Sequence, residues 1–145
     1  GSVRARLVKN EMLVLITGTP RKGYFMGKFV IKQSASGYRF QLKAGNGEII
    51  GVSETYSSKS SCENGIESVK TNAPIAALED QTAQEHATNP KFELYTDKAG
   101  AYRFRLRARN GENILASEAY AQKASCLNGI ESVRKNAPGS PVEEE

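Results

Sequence analysis

Four arginines at alternate positions, Arg103, Arg105, Arg107 and Arg109, are the residues whose types and spacing most invite chemistry. Side chains two apart on an extended strand share a face, so the four guanidinium groups would stand in a row. Arg39 and Lys43 hold matching positions in an earlier stretch of similar sequence. Such a row can track phosphates, each contact adding salt-dependent affinity. Nucleic-acid binding through Arg39, Lys43, Arg103, Arg105, Arg107 and Arg109 is therefore one functional reading. The other is a solvated strand face whose arginines pair across strands with Glu93, Glu118 or Glu54. Single-strand binders interleave aromatic with basic residues so that nucleobases can stack. Tyr102 and Phe104 alternate with the arginines and so point away from them, which favours the solvated face.

Other groups offer less. In Ser53-Glu54-Thr55-Tyr56 and Ser117-Glu118-Ala119-Tyr120, the Glu and Tyr could act as an acid and base only if they met in a pocket. Neither stretch brings a nucleophile or metal ligand, so a structural role at a strand-to-helix junction is favoured. Asn64-Gly65-Ile66-Glu67-Ser68 and Asn128-Gly129-Ile130-Glu131-Ser132 could present Asn and Glu to a ligand, but packing and solvation of a helix account for them. Cys62 and Cys126 form no CxxC pair, and the one histidine, His86, lies in a polar connector. A Cys/His metal site is accordingly not expected, and two thiols on apolar helical stripes read as inert core residues. Gly18-Thr19-Pro20-Arg21-Lys22-Gly23 begins like a phosphate-binding loop, yet Tyr24 and Phe25 stand where that loop needs Lys and Ser or Thr. No catalytic residue, cofactor or metal is expected.

The net charge of +4 has a local origin. Residues 1–26 carry Arg4, Arg6, Lys9, Arg21 and Lys22 against Glu11 alone. Removing these from the chain's 20 basic and 16 acidic residues leaves 15 of each. A basic excess confined to one end says little about the folded part. Met12 to Ile16 is apolar but far too short to span a bilayer, so the expectation is a cytoplasmic protein without a membrane partner. Gly1-Ser2 reads as a cloning remnant.

The elements that would position these residues come in two copies. Tyr38–Pro74 and Tyr102–Pro138 align without a gap and are identical at about two-thirds of their positions. Phe29 to Gln33 and Phe92 to Thr96 alternate like half-buried strands. Tyr38, Phe40, Leu42 and Ala44, with Tyr102, Phe104, Leu106 and Ala108, would form the inner face of a second strand. Asn46-Gly47 and Asn110-Gly111 predict two-residue hairpins. A third strand would turn Ile50 and Val52, or Ile114 and Ala116, inward. A helix follows, with Ser57 or Ser58 as its cap and Gln122 as a poorer counterpart. Its buried stripe is Cys62, Ile66 and Val69, or Cys126, Ile130 and Val133. Asn72-Ala73-Pro74 and Asn136-Ala137-Pro138 end the helices. Ile75 to Glu79 reads as a fourth strand, 81–90 as a polar linker, and Pro141-Val142-Glu143 as at most a short edge piece.

The paired motifs NGE, SExY and NGIESV, in YRFQLKAGNGEIIGVSETY with KSSCENGIESVKTNAP and YRFRLRARNGENILASEAY with KASCLNGIESVRKNAP, resemble the YegP-like family of small bacterial proteins, a domain of unknown function. The resemblance spans about Lys28 to Pro138. It implies an α+β fold: two tandem β3-α-β repeats forming one antiparallel sheet with helices on one face, pseudo-two-fold symmetric, with the last strands exchanged. The divisions expected are an extension at 1–26, a first repeat at 27–80, a linker at 81–90 and a second repeat at 91–145, the repeats sharing one core. The family supplies no catalytic residues. The expectation is a monomeric, non-catalytic binding or interaction module for an unknown protein or small ligand, with nucleic-acid binding through the Arg face as the alternative.

Overall fold

The computed structural model describes residues 27–145. The extension at 1–26, with its apolar stretch and its glycine-flanked loop, lies outside them. Strands β1 (Lys28–Ser34), β2 (Gly37–Lys43) and β3 (Ile49–Val52) lead into helix α1 (Lys59–Asn72) and strand β4 (Ala77–Asp80). Strands β5 (Lys91–Thr96), β6 (Tyr102–Arg107) and β7 (Asn113–Ala116) then lead into helix α2 (Lys123–Asn136) and strand β8 (Val142–Glu144). The fourth strand starts later than the apolar pattern suggests, because Ile75 is exposed and precedes it.

All eight strands form one sheet, in the order β4-β5-β6-β7-β3-β2-β1-β8. The six inner strands pair antiparallel. The two edge pairings correct the expectation of a wholly antiparallel sheet, since β4 runs parallel to β5 and β8 parallel to β1. Only a hairpin forces neighbours antiparallel. Residues 81–90 carry the chain from one end of β4 back to the start of β5, and β8 reaches β1 only after a helix.

The hairpins are longer than two residues. Ala44 N–H donates to the Glu48 carbonyl and Gly47 N–H to the Ala44 carbonyl, which encloses a three-residue loop. Only Gly47 is left-handed, at φ +90°. The Asn46 side-chain oxygen instead accepts the Glu48 N–H at 3.0 Å, holding Asn46 in the right-handed turn. Asn110, Gly111 and Glu112 repeat this geometry.

A register shift follows in each copy, between Leu42 and Lys43 and between Leu106 and Arg107. Such a bulge puts two residues opposite one and reverses the facing of those beyond it. Ile114 and Leu115 are consecutive yet both join the core, as does Ile50. Val52 and Ala116, expected inward, lie on the opposite face and pair with each other where the two repeats meet. Gly51 corresponds to Leu115 in the repeat alignment, and a Cβ on Gly51 would stand 2.6 Å from Leu115 Cγ and Cδ2. One repeat leaves the space that the other fills.

Ser58 caps α1 by accepting the Ser61 N–H at 3.1 Å, whereas Gln122 makes no side-chain cap on α2. The stripes Cys62, Ile66, Val69 and Cys126, Ile130, Val133 pack on Phe29, Phe40, Leu42, Phe92, Phe104 and Leu106 in one continuous core. Gly65 and Gly129 sit mid-helix because the hydroxyls of Tyr56 and Tyr120 occupy the place of a Cβ. Asn72 and Asn136 close the helices by donating to the Ser68 and Ser132 carbonyls, each at 2.8 Å.

Candidate interaction surface

No helix among the described residues covers the face of the sheet turned away from α1 and α2. Strand register lays a single row across it: Glu79, Glu93, Arg105, Ala116, Val52, Gln41, Val30 and Glu143. The two halves of this row correspond position by position in the repeats, but their chemistry differs.

In the second-repeat half the charges close on themselves. Glu93 is 6% exposed and accepts from Arg105 and, at 3.0 Å, from Arg107. Lys91 lies 2.8 Å from Glu79 and 3.4 Å from Glu93. Burial pushes the Glu93 carboxyl upward, but hydrogen bonds from Arg105 and Arg107 outweigh it and hold the group below its usual range. Hydrogen bonds from the Gln81 side chain, Lys91 and the Ala87 N–H bring Glu79 down to about 2. Arg105 also lies over the Tyr95 ring at 4.3 Å, a cation–π contact.

The first-repeat half has Val30 where the second has Glu93, and Gln41 where it has Arg105. Val30 is 1% exposed. The Gln41 Oε1 atom is buried with no hydrogen-bond partner among the described residues. Lys28, Lys32, Arg39 and Lys43 stand around this pair on the same two strands.

The six basic residues singled out by their spacing therefore divide. Arg103 pairs with Asp97 at 2.7 Å, and Arg105 and Arg107 converge on Glu93. Arg39, Lys43 and Arg109 have no carboxylate partner among the described residues. Of the anticipated partners only Glu93 is used; Asp97, in the turn before β6, takes the role considered for Glu118 and Glu54. The pairing of Glu79 with Lys91 and of Asp80 with Lys123 is not legible in the alternation of either repeat, because each joins elements of different repeats. Its trace was there: Glu143, Lys28, Glu144 and Lys59 hold the corresponding positions and also pair.

The Ser-Glu-x-Tyr stretches build the junction between β3 or β7 and the helix. Phe40 N–H donates to the Ser53 hydroxyl at 2.9 Å, and that hydroxyl donates to the Glu54 carbonyl at 2.7 Å. The side chain thus replaces a ladder carbonyl, and the strand can turn away with its neighbour's amide satisfied. Tyr38 and Tyr56 then exchange backbone hydrogen bonds at 2.8 and 2.6 Å. The Tyr56 ring stacks on Phe40 at 6.3 Å, while Glu54 is exposed. Ser117, Glu118 and Tyr120 repeat the arrangement.

Cys62 and Cys126 are both fully buried. Burial, aided by Asp80, pushes the Cys126 thiol up to about 11, and burial with Glu63 raises Cys62, so neither is poised as a thiolate. Exposed His86 joins Glu79, Gln81, Gln84 and Glu85 around an open cleft of about 520 Å³ beside β4. Among the described residues no cluster of His, Cys, Asp and Glu could hold a metal ion, and no helix is long and apolar enough to cross a membrane.

One sheet and two helices, arising from a doubled sequence, define a tandem-repeat α+β protein. The profile of the family described as a domain of unknown function, DUF1508, matches residues 33–80 and again 97–144. A UPF0339 protein of Bordetella pertussis is 42% identical over 119 residues, covering 82% of this chain and 96% of that protein. A UPF0339 protein of Treponema denticola is 63% identical over 54 residues, 37% of this chain but 93% of its own length, so it matches about one repeat. The solution NMR structure of yegP from E. coli, described as a protein of unknown function, superposes with a TM-score of 0.68 at 37% identity, covering 83% of this chain and 94% of that one. The chain belongs to this YegP-like family.

Proposed function

We propose that the chain is a non-catalytic interaction module that engages its partner through the first-repeat half of its open sheet face. In this reading it is a monomer built as an internal pseudo-dimer. Two β3-α-β halves are related by a pseudo-two-fold axis between β3 and β7, and each completes the other's sheet with its last strand. The reciprocal pairings of β4 with β5 and β8 with β1 support that symmetry.

The observation that carries the functional reading is the inequality of two corresponding sites. Glu93 and Arg105 satisfy each other, whereas beside buried Val30 the Gln41 amide oxygen has no hydrogen-bond partner among the described residues and is ringed by Lys28, Lys32, Arg39 and Lys43. A basic rim of this kind suits a protein surface of opposite charge, here an acidic one. Catalysis has no place in the reading, because the serine and tyrosine of each repeated motif are engaged in building the fold.

Nucleic-acid binding is the second reading, favoured by Arg39, Lys43 and Arg109, which have no carboxylate partner among the described residues. Against it, phosphates would have to draw Arg103, Arg105 and Arg107 away from Asp97 and Glu93. Capture from a bacterial lysate separates the two. The baits are the chain itself and a Val30→Glu/Gln41→Arg variant that copies the closed half into the open one, each with and without nuclease. A partner held by the first bait, resistant to nuclease and lost with the second, supports the protein-binding face. Capture that vanishes with nuclease and with Arg39→Gln/Lys43→Gln moves nucleic acid to first place. Equal capture by both baits overturns the open-face reading.

A further inference from the structure

The two edges of the sheet are built alike but held unequally. Strand β4 lies on β5 with Glu79 and Asp80 buried, and residues 81–87 fold over it. Lys91 and Lys123 close on the two carboxylates, and Arg134 of α2 donates to the Ala76 carbonyl at 2.5 Å just before the strand. Strand β8 occupies the corresponding place on β1, yet all three of its residues are exposed. Its backbone is tied to β1 where the Phe29 N–H donates to the Pro141 carbonyl at 2.8 Å and the Glu145 N–H to the Ile31 carbonyl at 3.0 Å. Three solvent-exposed ion pairs complete its hold: Lys28–Glu143 at 3.0 Å, Lys59–Glu144 at 2.8 Å and Lys32–Glu145 at 3.1 Å. Exposed pairs of this kind contribute little and are screened by salt. A short exposed edge strand belongs among the first parts of a fold to open.

We propose that the β1 edge is a docking site for an extended acidic segment of another polypeptide, and that β8 is an internal competitor that such a segment displaces. Adding a strand to a sheet edge takes its affinity from main-chain hydrogen bonds and its specificity from side chains. Here the chain's own occupant defines that specificity. The bound segment runs parallel to β1 and carries carboxylates at three successive positions, for Lys28, Lys59 and Lys32. Two of these lysines lie on β1, and the third opens α1. The occupant in place is tethered, so its effective concentration is high, and an incoming segment must exceed it in length or charge. The site is the edge rather than the sheet face, although it shares Lys28 and Lys32 with the rim of the Val30–Gln41 surface.

The probe is a synthetic peptide copying residues 140–145, SPVEEE, followed by two-dimensional NMR and fluorescence anisotropy on the full chain. Into Glu143→Lys/Glu144→Lys/Glu145→Lys, whose last strand is repelled from the three lysines, the peptide is expected to bind at least ten times more tightly than to the unaltered chain. Shifts should concentrate at residues 28–32 and Lys59, and the affinity should fall steeply with added salt. In the unaltered chain the Glu145 amide should exchange with solvent at least tenfold faster than the Ala77 amide at the opposite edge. Lys28→Gln/Lys32→Gln, which leaves the core intact, should weaken the peptide in every background. Absence of binding to the triple variant, shifts centred on Arg39 and Lys43 instead, or equal exchange at Glu145 and Ala77 would each overturn the proposal.

Discussion

Lys123 Nζ, at the first turn of α2, lies 2.5 Å from Asp80 Oδ2 on β4, and so joins the helix of one repeat to the last strand of the other. Its counterpart, Lys59 of α1 with Glu144 of β8, spans 2.8 Å and is solvent-exposed at both ends. The same ion pair thus occurs once with a nearly buried carboxylate and once with an exposed one, in two settings built from nearly the same sequence. Removing one partner of a desolvated pair strands the other charge, whereas an exposed pair contributes under about 1 kcal/mol. Lys123→Met should therefore destabilise the fold, because it leaves the buried Asp80 carboxylate with Thr82 as its only hydrogen-bond partner among the described residues. Lys59→Met should leave stability close to that of the unaltered chain, as surface changes do. Urea unfolding of the two variants measures the difference.

Acid should weaken the hold on the β4 edge. Glu79 lies at about 2 in place of its ordinary 4.5. Asp80 and Glu93 also lie low, because hydrogen bonds from Lys123 and Thr82 to the one, and from Arg105 and Arg107 to the other, outweigh the upward push of burial. Carboxyls depressed by folding contribute stability that is fully present above their unfolded values and is lost as pH falls toward the folded ones. Stability should therefore hold above about pH 5 and decline continuously toward pH 2. Glu79→Gln should flatten that decline while lowering stability at neutral pH. Chemical denaturation repeated across this pH range tests both statements.

At Gly65, helix propensity and packing oppose each other. Alanine gains about 1 kcal/mol over glycine in a helix interior. The added methyl, however, meets the Tyr56 hydroxyl and lies 2.8 Å from Tyr56 Cζ and 3.1 Å from Phe40 Cε2. Overpacking of this kind costs about 1–3 kcal/mol, so Gly65→Ala should be net destabilising. With Tyr56→Leu already in place only the 3.1 Å approach to Phe40 Cε2 remains, and the same change should cost clearly less. Thermal melts of the four chains in this cycle give the answer.

Elements were legible in the sequence wherever a single repeat determined them. Alternation marked Phe40 and Leu42 for the core, helical spacing marked Cys62, Ile66 and Val69, and Ser58 was recognisable as a cap. What escaped depends on more than one repeat or on a break in period. The bulge after Leu42 and Leu106 turns Val52 and Ala116 outward, and alternation cannot foresee the residue at which it fails. Parallel pairing at both edges follows from where the last strands land, which lies beyond either repeat alone. The candidate surface was half legible: the alternating arginines were plain, but their neutralisation by Glu93 and Asp97 needed the strand register. The Val30–Gln41 site drew no notice because neither residue type signals chemistry.

The meeting of Gly51 and Leu115 supplies the sharpest test of how the two repeats fit. These residues correspond in the alignment, and both approach the junction of β3 with β7. If leucine stood at both positions the side chains would compete for one space; if glycine stood at both, a void would open in the core. Gly51→Leu alone should cost about 1–3 kcal/mol or more through overpacking. Leu115→Gly alone should cost at least as much as the roughly 2–5 kcal/mol typical of large-to-small core changes, with added backbone freedom. The exchange Gly51→Leu/Leu115→Gly restores one large and one small residue. Directly contacting sites couple by about 0.5–3 kcal/mol, so the double variant should be markedly more stable than the sum of the single changes. Additive losses in a urea-unfolding cycle would mean that the two side chains do not share a space, and the junction would then owe its specificity to the single Val52–Ala116 pairing.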